Sequence, residues 1–368
     1  MTNQIAPSTN APCPHYGQCG GCSLQHLDST DYQAFKHHII DRIVSRLGLT
    51  PSIIAPLITI GQGTRRRAEL KVSVNKAVVN LGFYAPQSHD VVHISQCLIC
   101  NTAIMDMLPA FHDCLNAFKK PSVIKSIQVT SLEHGIDMVI ATQKPLKAHE
   151  KTLLATFGET HHCVRISQQH DALNYPDTFF DRNNATITIA GVTIDLPAGA
   201  FLQATATGQD AIISCVLNYL KDCRHIADLF SGCGTYSFAL ASQAISIEAF
   251  EVNEAMSLAA HNAATKHDLN HKIRTSTRDL FARPLKEHEL NRFDAVVINP
   301  PRTGAQAQIK QLSSHQKIHA ICMVSCNPST FERDAKQLLS AGYKLTSVTP
   351  IDQFYWSNHL ELVGLFIR

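Results

Sequence analysis

Phe35, Ile39, Ile40 and Ile43 recur at helical spacing within "STDYQAFKHHIIDRIVSR", so residues 29 to 46 are predicted as an amphipathic helix that Gly48 ends. Residues 68 to 74, "AELKVSV", alternate apolar and polar, and "AVVNLGFYA", "DVVHIS", "KSIQVTSL" and "HGIDMVIATQ" continue as β-rich runs. With a helix near residues 148 to 157, this half reads as α+β. From about residue 205 strand-like and helix-like segments alternate, the pattern of a parallel sheet covered by helices. Ile213, Val216, Leu217 and Leu220 put "DAIISCVLNYLKD" on a helix that feeds the strand "HIADLF". The strand "ISIEAFEV", the helix "EAMSLAAHNAATKH" and the strands "FDAVVIN" and "AICMVSC" follow. "YKLTSVTPID" and "HLELVGLFI" are two last strands around a loop with the only tryptophan. The expected organisation is a flexible tail over 1–12, an α+β domain over 13–195 and a Rossmann-like, doubly wound α/β domain over 196–368.

Composition narrows the class of protein. A chain of 368 residues, 45% hydrophobic and 17% charged, holds two ordinary globular domains, and a net charge of +2 keeps any nucleic-acid surface local. No run approaches the roughly 20 apolar residues of a membrane span, and "MTNQIAPSTNAP" is unlike a signal peptide. A cytoplasmic, monomeric protein is expected. In a reducing compartment twelve cysteines point to metal binding, catalysis or burial rather than disulfides.

"DLFSGCGTYSFALA" places Gly232 and Gly234 between a strand and a helix, at the edge where open α/β sheets bind ligands. Thr235, Tyr236 and Ser237 replace the rest of the dinucleotide fingerprint, which argues against a pyrophosphate. Glu251, 19 residues after Gly232, stands where an acid accepts both ribose hydroxyls, so the pattern points to S-adenosylmethionine. Asp279, after another strand, is a candidate for the adenine or else a loop cap. Asn299, before two prolines in "VVINPPRTG", faces cofactor or substrate.

Cys326, in "VSCNPSTFERD", ends the next strand at the same edge. Ser329 and Glu332 read as a capping box, and the field of the helix they start is expected to lower the thiol pKa and favour a nucleophile. Glu361 is an isolated acid in an apolar strand, costly to bury without a purpose. Cys13, Cys19 and Cys22 form C-x5-C-x2-C, and Cys97 adds a fourth thiol, with Cys100 close by. Four such ligands suit a [4Fe–4S] cluster or a tetrahedral zinc. Arg65, Arg66 and Arg67 open a strand where they contact phosphates or bases, or else shield a sheet edge.

"CPHYGQCGGCSLQH", "RRRAELKV", "FLQ", "DLFSGCGTYSF", "NPPRTG", "SCNPSTFERD" and "HLELVGLF" occur in an order that resembles the S-adenosylmethionine-dependent RNA uracil-C5 methyltransferases. The resemblance spans nearly the whole chain and implies a class I methyltransferase domain at the C-terminus. It implies that Cys326 attacks C6 of a uracil flipped out of a loop and that Glu361 removes the C5 proton. Gln203, Phe230, Glu251 and Asn299 then line the cofactor pocket, and Cys13, Cys19, Cys22 and Cys97 hold the cluster. Two departures stand out: Asn299 replaces a common Asp, and "FLQATAT" lacks an asparagine two residues after the glutamine. The cysteine motif favours 23S ribosomal RNA over transfer RNA as substrate. An amino-group methyltransferase is the rival, but it needs no nucleophilic cysteine and usually carries an aromatic where Arg302 stands. An inactive RNA-binding relative is the other rival, and the intact Cys326, Glu361 and glycines speak against it.

Overall fold

The computed structural model describes residues 11–368 apart from 77, 174 and 184, so the tail expected over 1–12 lies outside the described residues up to residue 10. The alternating runs of the first half form a seven-stranded sheet with the strand order Val91–His93, Val78–Tyr84, Arg67–Asn75, Ile124–Leu132, Gly135–Thr142, Cys163–Gln169, Asp177–Asp181. All neighbours are antiparallel except Gly135–Thr142 and Cys163–Gln169, which the helix Ala148–Thr160 joins as a crossover. That helix and Thr102–Asn116 bury one core, in which Phe111 and Phe157 meet edge to face with centroids 5.0 Å apart. Thr102–Asn116 has no counterpart in the sequence reading. Pro109 inside it reads as a breaker, yet Asn101 caps the helix and its apolar face is buried.

The second half forms an eight-stranded sheet in the order Ile58–Thr59, Lys344–Asp352, Glu361–Ile367, Ala320–Ser325, Ala295–Ile298, His225–Leu229, Ser246–Glu251, Ile273–Thr277. The last five are mutually parallel and Glu361–Ile367 runs antiparallel between its neighbours. Helices cover both faces, and the strand Ala295–Ile298 and residues 320–324 beside it are apolar throughout. Ala320, Cys322 and Val324 point into one core and Ile321 and Met323 into the other.

These cores do not follow a cut at residue 195. Ile40, Ile43 and Val44 of the helix Ser29–Arg46 pack with Leu338 and Phe366 of the second half, and Ile58–Thr59 adds a parallel edge strand to its sheet. The hairpin Thr186–Ile189 and Val192–Asp195 also packs on the C-terminal core. No helix among the described residues is long and apolar enough to cross a membrane.

Candidate active site

His225–Leu229 is the central strand from which the sheet order departs in both directions, so its carboxyl end opens a crevice. The chain leaves it through Phe230 at φ 60 and reaches the helix Thr235–Leu240 through Gly234 at φ 86. A side chain on Gly234 would stand 2.9 Å from the Phe238 ring, so both dihedral and space require glycine. Glu251 closes the loop from the next strand. Its carboxylate accepts from the Gly232 amide at 2.9 Å and the Asn253 amide at 2.8 Å, leaving lone pairs on both oxygens. Gln203, Phe230, Gly232, Tyr236 and Asn299 line one pocket here. Asn299 donates to the Tyr236 hydroxyl at 3.1 Å and Gln203 reaches the same oxygen at 3.5 Å. Asp279 lies beyond Phe230, whose ring tilts against Phe281 at 5.3 Å. One oxygen of Asp279 accepts from the Phe281 and Ala282 amides, so the carboxylate caps a turn.

Beneath the pocket, Asp228 is fully buried. One oxygen accepts from the Ser237 amide and hydroxyl, the other has no partner among the described residues, and desolvation raises its pKa to about 7.

Cys326 follows the strand Ala320–Ser325 and is half-buried. The helix after it starts at Pro328 with Asn327 as its cap, the Asn327 side chain accepting from the Ser329 amide at 3.0 Å. The expected capping box of Ser329 and Glu332 is not formed: Glu332 instead pairs with Lys336 and Arg46. The expected lowering of the thiol pKa is also overturned. Burial and the neighbouring Glu361 push the Cys326 thiol up, and the Arg302 guanidinium pulls it down only in part, as charge and as hydrogen-bond donor. One helix terminus does not outweigh the loss of water around a thiolate. Arg302 therefore belongs to the site.

Glu361 begins the strand Glu361–Ile367, only 2% exposed. Burial raises its pKa to about 7, against the opposing pulls of a hydrogen bond from Gln353 and the charge of Arg302. Gln353, absent from the sequence reading, donates at 2.9 Å to Glu361 and at 2.8 Å to Gln203. Tyr236, Gln353 and Lys36 carry no sequence signal of these roles, because a polar side chain does not announce the tertiary partner it will find. Lys36 is fully buried, donating to Asp352 at 2.8 Å and to the His359 carbonyl at 2.6 Å.

The cysteines expected to bind metal lie near enough to feel one another's charge. Cys22 is pushed up to about 12 by burial and by the facing thiols of Cys97, Cys19 and Cys13. Cys97 is held down chiefly by a hydrogen bond from the buried Cys100 thiol. Yet among the described residues no three or more His, Cys, Asp or Glu side chains close on a point that would hold a single metal ion. Of the three arginines, Arg66 is committed inside the chain, donating to the Gln203 carbonyl and the Gln209 side chain. Arg67 stacks on exposed Phe201, with the guanidinium carbon 4.9 Å from the ring centre.

A mixed sheet with one reversed strand, a glycine turn facing an acid, and a thiol and a buried acid at the same edge define an α/β methyltransferase. Residues 62–368 match the family described as tRNA (Uracil-5-)-methyltransferase. The chain is 35% identical over 360 residues to an uncharacterised RNA methyltransferase of Rhizobium meliloti, covering 96% of this chain and 84% of that one. It is 30% identical to the 23S rRNA (uracil(1939)-C(5))-methyltransferase RlmD of Shewanella halifaxensis, covering 96% and 81%. In three dimensions it resembles the Pyrococcus abyssi tRNA (uracil-54, C5)-methyltransferase, solved with S-adenosyl-L-homocysteine, with a TM-score of 0.72, 20% identity and coverage of 94% and 86%. The chain belongs to the RNA uracil-5 methyltransferase family.

Proposed function

We propose that this enzyme methylates C5 of a specific uridine in RNA, 23S ribosomal RNA in preference to transfer RNA, through a covalent bond between Cys326 and C6. The observation that carries this reading is the meeting of Cys326, Arg302 and Glu361 beside the Gly232–Glu251 pocket. The pocket fits S-adenosylmethionine: Glu251 keeps free lone pairs for ribose hydroxyls, Phe230 offers an aromatic face, and Gln203 and Asn299 present amides. When bound, that cofactor supplies an electrophilic methyl on its sulfonium.

The residues of the chain do the rest. The Cys326 thiolate adds to C6, the C5–C6 π electrons move toward O4, and C5 becomes a nucleophile that takes the methyl. Glu361 then accepts the C5 proton, the enolate re-forms, and the thiolate leaves as C5=C6 is restored. Arg302 favours the thiolate form. A group poised near pH 7 is suited to hold and release one proton per turnover. The target base must leave its stack to reach a half-buried thiol, so the substrate uridine is in a loop or single strand.

Cys13, Cys19, Cys22 and Cys97 are the proposed ligands of a [4Fe–4S] cluster, with Cys100 donating to Cys97. The support is chemical: four thiols that become thiolates on losing their protons are the donor set such a cluster takes. Ribosomal RNA is favoured by 30% identity with the Shewanella enzyme along 96% of the chain.

The test is RNA carrying 5-fluorouridine, whose fluorine cannot leave as a proton. Wild type with S-adenosylmethionine should form a methylated protein–RNA adduct stable to denaturation, and Cys326→Ala none. Fragments of 23S ribosomal RNA and transfer RNA run side by side decide the substrate. Methylation of ordinary RNA without any adduct on the fluorinated one would overturn the thiolate scheme.

A further inference from the structure

Gln353 is 2% exposed in the loop between the strands Lys344–Asp352 and Glu361–Ile367. Its Nε2 has two hydrogens and both are used: one points at Glu361 Oε2, 2.9 Å away, the other at Gln203 Oε1, 2.8 Å away. The opposite amide orientation would aim a carbonyl at the ionised carboxylate and at the Gln203 carbonyl, so the amide is assigned with Nε2 toward both oxygens. Gln203 in turn reaches the Tyr236 hydroxyl, which also accepts from Asn299. A chain of side chains thus runs from the pocket beneath Gly232 to the acid beside Cys326.

We infer that Gln353 is a positioning residue that holds the Glu361 carboxylate for proton removal and ties it to the cofactor-pocket amide of Gln203. This rests on the uracil-C5 reading above.

Three features of the fold serve that placement. Asp352, next in the chain, is gripped by Lys36 and Tyr32 from the helix Ser29–Arg46. The same Tyr32 hydroxyl accepts from the Trp356 amide at 2.9 Å, and Lys36 holds the His359 carbonyl, so the loop is fastened on both sides of its turn. Gly208 leaves room for its helix cap and for the amide, since a side chain there would meet Thr205 Oγ1 at 2.5 Å, the Gln353 Cβ at 2.9 Å and Oε1 at 3.0 Å. That oxygen has no hydrogen-bond partner among the described residues, a cost that the two donated bonds offset.

The charged and titratable groups facing Glu361 are Arg302, Cys326 and Tyr236. Arg302 alone favours the carboxylate once the Gln353 donor is gone. Removing that donor therefore raises the pKa of the acid and moves the acid limb of proton removal to higher pH.

The experiment uses full-length enzyme, RNA tritiated at uridine C5 and S-adenosylmethionine labelled in the methyl group, comparing wild type, Gln353→Met, Gly208→Ala and Glu361→Gln. Within a single turnover, with enzyme in excess over RNA, methyl incorporation reports the first half of the reaction and tritium release the second. Gln353→Met should slow tritium release about tenfold relative to methyl incorporation, the scale of a lost hydrogen bond to a charged group. A methylated covalent adduct should accumulate, and the acid limb of release should shift to higher pH. Gly208→Ala, which crowds the Thr205 cap and the Gln353 side chain without removing the amide, should give a milder form of the same split. Loss of both labels in step, or no change in either, overturns the role of Gln353. If wild type itself releases no tritium while methylating the RNA, the uracil-C5 reading falls, whatever the variants do.

Discussion

At the scale of single residues, the acids of this site are legible by type but not by state. An acid in "HLELVGLF" is conspicuous among apolar neighbours, whereas the raised pKa of Glu361 depends on complete burial and on Gln353 and Arg302, which arrive from other segments. For Cys326 the sequence shows the adjacent helix start and hides the desolvation that outweighs it. The raised pKa of Glu361 has a measurable stability consequence. Its folded pKa of about 7 lies above the ordinary 4.5, so the folded state binds the proton more tightly than the unfolded state. The stabilising contribution is complete below about pH 4.5 and is lost as pH rises through 7, by roughly 3 kcal/mol over the whole window. Glu361→Gln, which is neutral throughout, should gain stability relative to wild type between pH 5 and pH 8 in urea unfolding. An identical difference at both pH values would show that the carboxyl does not titrate on unfolding. Asp228, also buried and raised to about 7, adds the same pH trend to wild type and variant alike and cancels in the comparison.

At the scale of elements, periodicity was enough where an apolar stripe runs unbroken along one face. Residues 29–46, the strand around 68–74 and the helix starting at 254 stand in the structure close to where apolar spacing puts them. Thr102–Asn116 was hidden by Pro109, and Gln306–Ser314 by having few apolar residues to mark a stripe. What the helix Ser29–Arg46 packs against was not legible, because its buried face carries Lys36 among isoleucines, and a lysine there reads as solvent-facing. Burial pulls Lys36 down while Asp352 pulls it up, and neither side chain is exposed at all. Lys36→Met would leave Asp352 buried with only Tyr32 as donor, and should cost about 3–5 kcal/mol in urea unfolding. Adding Asp352→Leu should recover part of that loss, because the unpaired charge disappears. A cost below about 1 kcal/mol for Lys36→Met would mean that the pair behaves like one at the surface.

At the scale of the whole molecule, a linear reading of two successive domains misses how the chain returns on itself. Residues 29–60 cross to the C-terminal sheet before the N-terminal sheet begins. The cysteine segment is bonded to the loop that carries Gln353 and Trp356: the amides of Ser23 and Leu24 both donate to the Trp356 carbonyl, at 2.9 and 3.0 Å. Leu24, Tyr32, Ile99 and Trp356 form a small core against which Cys22 and Cys97 pack. Trp356 itself sits at φ 59, a costly conformation for an aromatic residue, so it depends on these neighbours to stay in place. It is the only tryptophan, and 7% exposure makes its fluorescence a selective reporter of this junction. Cys22→Ser should shift Trp356 emission to longer wavelength as the ring meets water, with an accompanying fall in adduct formation on fluorinated RNA. Cys114→Ser, in the other core, should leave the emission unchanged and serves as the control. An unshifted spectrum in Cys22→Ser, with adduct formation intact, would show that the cysteine segment and the Trp356 loop are energetically independent despite the two hydrogen bonds that join them.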